Sequence, residues 1–315
     1  MKKLKFNASN MGALMVLIVL IIAMSIINSS FLSRANLVNV MQQITVNALI
    51  ASGMTIVVLT GGIDLSVGSV MAISGLVMGK LMQNGANALV AILAGLAIGI
   101  LIGLINGILV AQFKLQPMIA TLGTMQIARG ITLTLAQGRT ISGFPQGFRW
   151  IGNVTFLSIP VQVILMVSIY ISIFYLLKYR KLGRYIYSIG GNEESTRLSG
   201  INVTKYKITA YVICGFNAAI AAIIYCAKLN SAVPTAGEGY EMDAVASTVI
   251  GGTSLLGGFG SIWGTLMGAM IIGIIKNGLN LMGVSAYLQK VVIGVILLIA
   301  VLVDSFRMRT MSKKK

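Results

Sequence analysis

The chain alternates between apolar runs near twenty residues long and short polar breaks. The runs fall at about 11–28, 38–60, 67–83, 88–110, 117–136, 160–177, 207–227, 243–258, 261–280 and 288–304. A helix needs about 20 apolar residues to cross the hydrocarbon core of a bilayer. Barrel strands would instead show segments of ~10 residues with alternating hydrophobicity. The pattern predicts an all-α polytopic membrane protein of about ten transmembrane helices, one domain over 1–315. The prolines agree. Pro117 and Pro160 open runs, where a missing N–H costs little, Pro145 and Pro234 fall in breaks, and none interrupts a run. The first run follows MKKLKFNASN. It is long for a signal-peptide core, and Ser25 to Ser30 makes a poor cleavage site, so a retained first helix is expected.

Composition sharpens this picture. Of 315 residues, 57% are apolar and only 10% charged, against roughly 25% charged in soluble domains. Too few polar residues exist to cover a soluble protein, and a disordered chain would need low hydrophobicity and high charge. Histidine is absent and the acids number seven, which removes the commonest general base and metal ligand and leaves little for a membrane-embedded enzyme. Cys214 and Cys226 lie twelve residues apart in one apolar run. A helix separates such positions by about 18 Å, too far for a disulfide.

The net charge of +17 raises the question of nucleic acid. Mapped onto ten spans, it answers a different one. Sixteen basic residues fall on the side of the two termini, seven of them between Lys178 and Lys207, and four on the other side. The positive-inside rule then places both termini in the cytoplasm, with no call for a nucleic-acid partner. The opposite break at 228–243 carries three of the acids, as an external loop would; it either meets an external partner or is a solvated connection.

Four features interrupt or mark the runs. Gly61, Gly62, Asp64, Ser66 and Gly68 form a polar, glycine-rich break in an apolar stretch. Gly-Gly lets the backbone leave the helix, and Asp64 and Ser66 are suited to cap the next one. Two readings fit: a capped tight turn, or a turn that lines or gates a substrate path, since broken backbone at membrane depth must be buried or line a wet cavity. Gly251 and Gly252 repeat the motif later in the chain. Gly95, Gly99, Gly103 and Gly107 lie four apart, one face of a helix, and predict close helix packing. Gly190 to Gly200 reads as a two-turn helix inside the basic cytoplasmic loop 178–207. There Asn192 serves as N-cap, Glu193 and Glu194 sit at the positive end, and Gly200 lies at the C-terminal turn. A solvated loop and a docking element both fit that segment. No G-x-x-x-x-G-K-[ST] occurs, so ATP-driven transport would need its hydrolysis in another chain. Ion coupling is the competing drive, with Asp64 as its intramembrane acid.

In these motifs the chain resembles the permease subunits of bacterial ABC importers for ribose and related sugars, nearest to the ribose permeases. The likeness covers nearly the whole chain. It rests on Gly62-Ile-Asp-Leu-Ser-Val-Gly-Ser69, Leu182-Gly-Arg-Tyr-Ile-Tyr187, Gly190-Gly-Asn192, Thr196-Arg-Leu-Ser-Gly-Ile-Asn202, Pro234-Thr-Ala-Gly237, Gly251-Gly-Thr-Ser-Leu255, Asn277-Gly-Leu-Asn-Leu281 and Ala300-Val-Leu-Val-Asp304. The resemblance implies the ABC-importer permease fold in the bacterial cytoplasmic membrane. It implies a transport subunit rather than an enzyme, and no cofactor in this chain. ATP and magnesium are expected in an ATPase partner with two nucleotide-binding domains. A second permease copy, surrounding lipid and an external sugar-binding protein complete the expected partners. Gly191, Asn192, Glu193, Arg197, Gly200 and Ile201 would then couple to the ATPase. Galactose, xylose, allose and the autoinducer-2 sugar derivative are the alternative cargoes.

Overall fold

The computed structural model describes residues 8–157 and 159–312. The basic residues at 2–5 and 313–315, which entered the charge argument, lie outside the described residues. The helices are α1 (Ala8–Ile27), α2 (Arg34–Leu59), α3 (Val67–Gln83), α4 (Ala88–Ala111), α5 (Pro117–Ala136), α6 (Gln146–Asn153), α7 (Val161–Tyr179), α8 (Lys181–Gly191), α9 (Glu193–Leu198), α10 (Val203–Leu229), α11 (Tyr240–Ile250), α12 (Ile262–Leu281) and α13 (Ala286–Ser312). Two antiparallel pairs of two-residue strands join connecting segments: β1 (Ile141–Ser142) with β4 (Ser231–Ala232), and β2 (Thr155–Phe156) with β3 (Ile159–Pro160).

A helix answers each of the ten apolar runs. Among the described residues, six helices are both long and apolar enough to cross a membrane: α2, α4, α7, α10, α12 and Ala286–Phe306 of α13. The run at 243–258 is corrected. Its helix ends at Ile250, because Gly251-Gly252 turns the chain, with Gly252 at φ 83°, into an irregular segment that lasts to Ser261. The loop 178–207 is likewise more ordered than a loop. It holds α8, which periodicity did not reveal, as well as the expected two-turn α9. The connection 137–159 contains α6.

α2 is the hub, and most of its length is buried. Helices in lipid gain little by hiding apolar faces from one another, so polar ties and close contact hold them. Along α2 the ties are explicit. Asn36 and Asn277 of α12 exchange amide bonds of 3.0 and 2.9 Å. Thr55 meets Thr265 of α12 at 2.7 Å. Asn47 donates to Ser247 of α11 at 3.1 Å. Asn217 of α10 donates to Ser52 at 2.8 Å, and the Tyr170 hydroxyl of α7 donates to the Ala48 carbonyl at 2.8 Å.

Close contact comes from the glycine stripe of α4. A Cβ at Gly99 would strike the Gly215 carbonyl of α10, one at Gly103 the Tyr211 carbonyl, and one at Gly107 would lie 2.8 Å from the Ile208 Cα. Gly95 packs on Met78 of α3 instead. The sequence of these contacts makes α4 and α10 antiparallel over about two helical turns. The opposite side of α4 exposes Leu89, Leu93 and Leu101, as a lipid-facing surface would. Cys214 and Cys226 are buried and free.

Gly103→Leu should cost roughly 1–3 kcal/mol or more by overpacking this seam. Gly123→Ala on α5, with nothing within 4 Å of the added carbon, should be near neutral. Thermal unfolding of the two variants in detergent checks the difference.

Candidate functional site

Three glycine pairs far apart in the chain meet at one place. The Gly258 amide donates to the Leu59 carbonyl at the end of α2, at 3.0 Å. A methyl at Gly190, in the last turn of α8, would run into that same carbonyl and into the Gly258 amide. Gly257, at φ 87°, brings its backbone against Gly61 and Gly190. No residue with a side chain fits such a three-way backbone contact. The Tyr187 hydroxyl adds a 3.0 Å bond to the Gly260 carbonyl. Burial pushes its phenol pKa up, so it remains a donor. From α13, Asp304 accepts from the Ser254 hydroxyl and the Leu255 amide, both at 3.4 Å. Gly251 packs on the Gly264 carbonyl of α12.

α8 and α9 stand on this junction as a rigid hairpin. Asn192 caps α9 by accepting from the Ser195 amide at 2.8 Å. The buried Thr196 hydroxyl bonds Ser188 of α8 at 2.8 Å. Gly200, at φ 78°, ends the turn, and the Ile201 amide donates back to the Thr196 carbonyl at 3.4 Å. Glu193 pairs with Lys207 and Glu194 with Arg197 on the exposed side. Such exposed pairs contribute little stability. Leu198 is 79% exposed at the tip of α9.

The Gly61–Gly68 break is a buried polar knot. Asp64 is 1% exposed. Its Oδ1 accepts from the Ser66 amide at 2.9 Å, the Ser66 hydroxyl at 2.6 Å and the Asn106 amide of α4 at 3.3 Å. Asn106 in turn accepts from Thr124 of α5 at 2.6 Å. Thr121 of α5 accepts from the Leu65 amide at 3.1 Å. The expected capping of α3 by Asp64 and Ser66 is therefore corrected. Ser66 occupies the N-cap position but makes no side-chain cap bond, because its hydroxyl is committed to Asp64. Gly62 faces the Tyr211 hydroxyl.

Gly68 touches the backbone of Gly237, which the topology argument had placed in an external loop. That loop is corrected as well. Ala232 packs at Gly79 of α3, whereas Gly237 lies against Gly68, roughly 16 Å further along the same helix at ~1.5 Å per residue. Residues 233–239 thus dive into the bundle, where Arg129 of α5 donates to the Pro234 and Ala236 carbonyls at 2.6 and 2.9 Å. The short α11 starts from that depth. Asp243 on it is buried and ion-paired with Lys276 of α12, so Asp64 is not the only acid within the bundle.

Beside this ion pair lies a cavity of about 250 Å³. Its polar lining includes Gln43 and Asn47 from α2, Tyr240 and Asp243 from α11, and Lys276 and Asn280 from α12. None was expected as a site residue. The available signal was polar side chains at i, i+4 inside apolar runs: Gln43 with Asn47, and Lys276 with Asn280. The glycines at 61–68, 190–191 and 257–258 line no part of it. Among the described residues no group of three or more His, Cys, Asp or Glu converges as metal ligands would.

Comparison with known proteins places this arrangement. Residues 36–301 match the family described as "Branched-chain amino acid transport system / permease component", and the chain belongs to that family of permeases. It is 49% identical to the ribose import permease protein RbsC of Escherichia coli (strain K12), over 93% of this chain and 92% of that protein. It is 46% identical to RbsC of Bacillus subtilis (strain 168), over 96% and 95%. It is 39% identical to the D-allose transport system permease protein AlsC of E. coli (strain K12), over 87% and 84%. No solved structure matches. The protein is a multi-pass integral membrane permease.

Asp64→Leu should cost at least about 2 kcal/mol, because the Ser66 amide and hydroxyl and the Asn106 amide would lose a buried acceptor. Asp64→Asn keeps one acceptor oxygen and should lose less. Denaturation of the purified variants, followed by near-ultraviolet circular dichroism, tests the ranking.

Proposed function

We propose that the chain is the permease subunit of an ATP-driven importer that carries a monosaccharide, ribose, delivered by an external binding protein. The observation that carries this reading is the 45–49% identity to ribose import permeases across more than nine-tenths of the chain. Allose, fructose and L-arabinose permeases lie at 35–39%, so sugars as a class are the firmer part and ribose the sharper one. In this reading the chain crosses the bacterial cytoplasmic membrane ten times with both termini inside, and works as a pair of identical copies. ATP and magnesium belong to a partner ATPase with two nucleotide-binding domains.

The α8–α9 hairpin is the coupling element. What supports this is mechanical. α9 projects an exposed leucine, and α8 is seated by backbone contact on the ends of α2 and of the segment after α11. A push on α9 therefore reaches both of these elements through backbone contact at α8. The Gly61–Gly68 and Gly251–Gly252 turns are where the moving helices pivot in this scheme.

Leu198→Asp should lower ATP-driven ribose uptake at least tenfold in the reconstituted transporter while the permease elutes normally. Uptake in the unaltered complex should survive a protonophore at constant ATP and vanish when ATP is removed. Collapse with the protonophore would instead favour an ion-coupled carrier.

A further inference from the structure

The geometry points to the cavity between α2, α11 and α12 as a monosaccharide-binding site within the permease itself. This rests on the sugar-permease reading and goes a step further, since nothing in that reading says where the chain holds its cargo.

The cavity is built for a ligand rather than left by imperfect packing. Asn47 is 8% exposed, spends its amide N–H on Ser247, and leaves its buried Oδ1 without a hydrogen-bond partner beside the open space. A buried carbonyl oxygen left unpaired is uncommon and needs an explanation; a donor arriving in the cavity supplies one. Asp243 and Lys276 are charged groups inside a membrane bundle. Such groups are costly, and they mark pathways for polar cargo. The cavity lies near the outer ends of α10 and α12, since Leu229 and Asn280 line it. That is the end opposite the α8–α9 hairpin, where an externally delivered sugar arrives.

The lining chemistry selects the ligand class. Carboxamides at Gln43, Asn47 and Asn280 both donate and accept, as the hydroxyls of a sugar do. Tyr240 adds an aromatic ring to the lining, a surface suited to the C–H groups of a pyranose or furanose. Asp243 and Lys276 already neutralise each other, and Lys228 adds one further cation to the lining. A zwitterionic amino acid could set its carboxylate at Lys228 but would have to break the Asp243–Lys276 pair to place its ammonium, whereas a neutral polyol hydrogen-bonds to these groups as they stand. The volume of about 250 Å³ equals roughly eight waters at ~30 Å³ each, the scale of a monosaccharide.

The test uses the full chain in lipid nanodiscs with millimolar D-ribose, read by saturation-transfer difference NMR. The unaltered chain should transfer saturation to ribose, and an equal concentration of L-leucine should not displace it. Asn47→Leu and Gln43→Leu should each weaken the signal at least fivefold. Gln43 is solvent-exposed, so its variant decides the matter if Asn47→Leu fails to fold. Equal signals from the unaltered chain and the folded variants would overturn the assignment. So would displacement by L-leucine, or no signal from a chain that imports ribose once its ATPase and binding protein are added. Failure of that complete transporter to import ribose would strike the function instead, while import with unchanged variant binding strikes only the cavity.

Discussion

Everything in this molecule hangs on how closely one backbone approaches another. Between helices in lipid the usual hydrophobic force is missing, because a hydrocarbon tail is as good a neighbour as a leucine. What remains is van der Waals contact and hydrogen bonding at short range. The α4–α10 seam supplies the first, with Gly99, Gly103 and Gly107 laid against the backbone of Gly215, Tyr211 and Ile208. α2 supplies the second, with Asn36, Asn47, Ser52 and Thr55 tied to three different helices. The same scarcity of side chains at the contacts explains why so many glycines are present in an otherwise apolar chain.

Close approach also makes irregular backbone tolerable inside the bundle. The segments 61–66, 233–239 and 251–261 would each expose unpaired amides and carbonyls to lipid if they stood alone. Each is instead covered. The first is knotted through Asp64, Ser66 and Asn106. The second is held by Arg129 and by the Gly68–Gly237 contact. The third is held by the Gly258 bond to Leu59 and by Asp304. α11 is short because residues 233–239 already run inside the bundle before it begins.

α2 joins the α8–α9 hairpin to the polar cavity. Its C-terminal end, at Leu59, belongs to the glycine junction under the α8–α9 hairpin, and Asn47 lies at the polar cavity. Twelve residues of one buried helix, about 18 Å, separate them. The hairpin and the cavity therefore share a rigid element.

Hydrophobic run length put a helix in each of the ten apolar stretches. Six of these helices, among the described residues, are long and apolar enough to cross a bilayer, which demands about 20 apolar residues. The four-residue glycine spacing of α4 and the Asn192–Gly200 caps were equally legible, since both are local rules of helix geometry. Function followed from ordered motifs spread along the chain. Other features are contacts between residues distant in sequence. The meeting of Gly61, Gly190 and Gly257, and the return of Gly237 to Gly68, could not be read from any window. Asp243 looked like a loop acid until the fold turned it towards Lys276, thirty-three residues away. The cavity was hidden for the same reason. Its polar side chains come from separate helices, each too sparse in polar residues to signal a site, and only packing brings them to face one another.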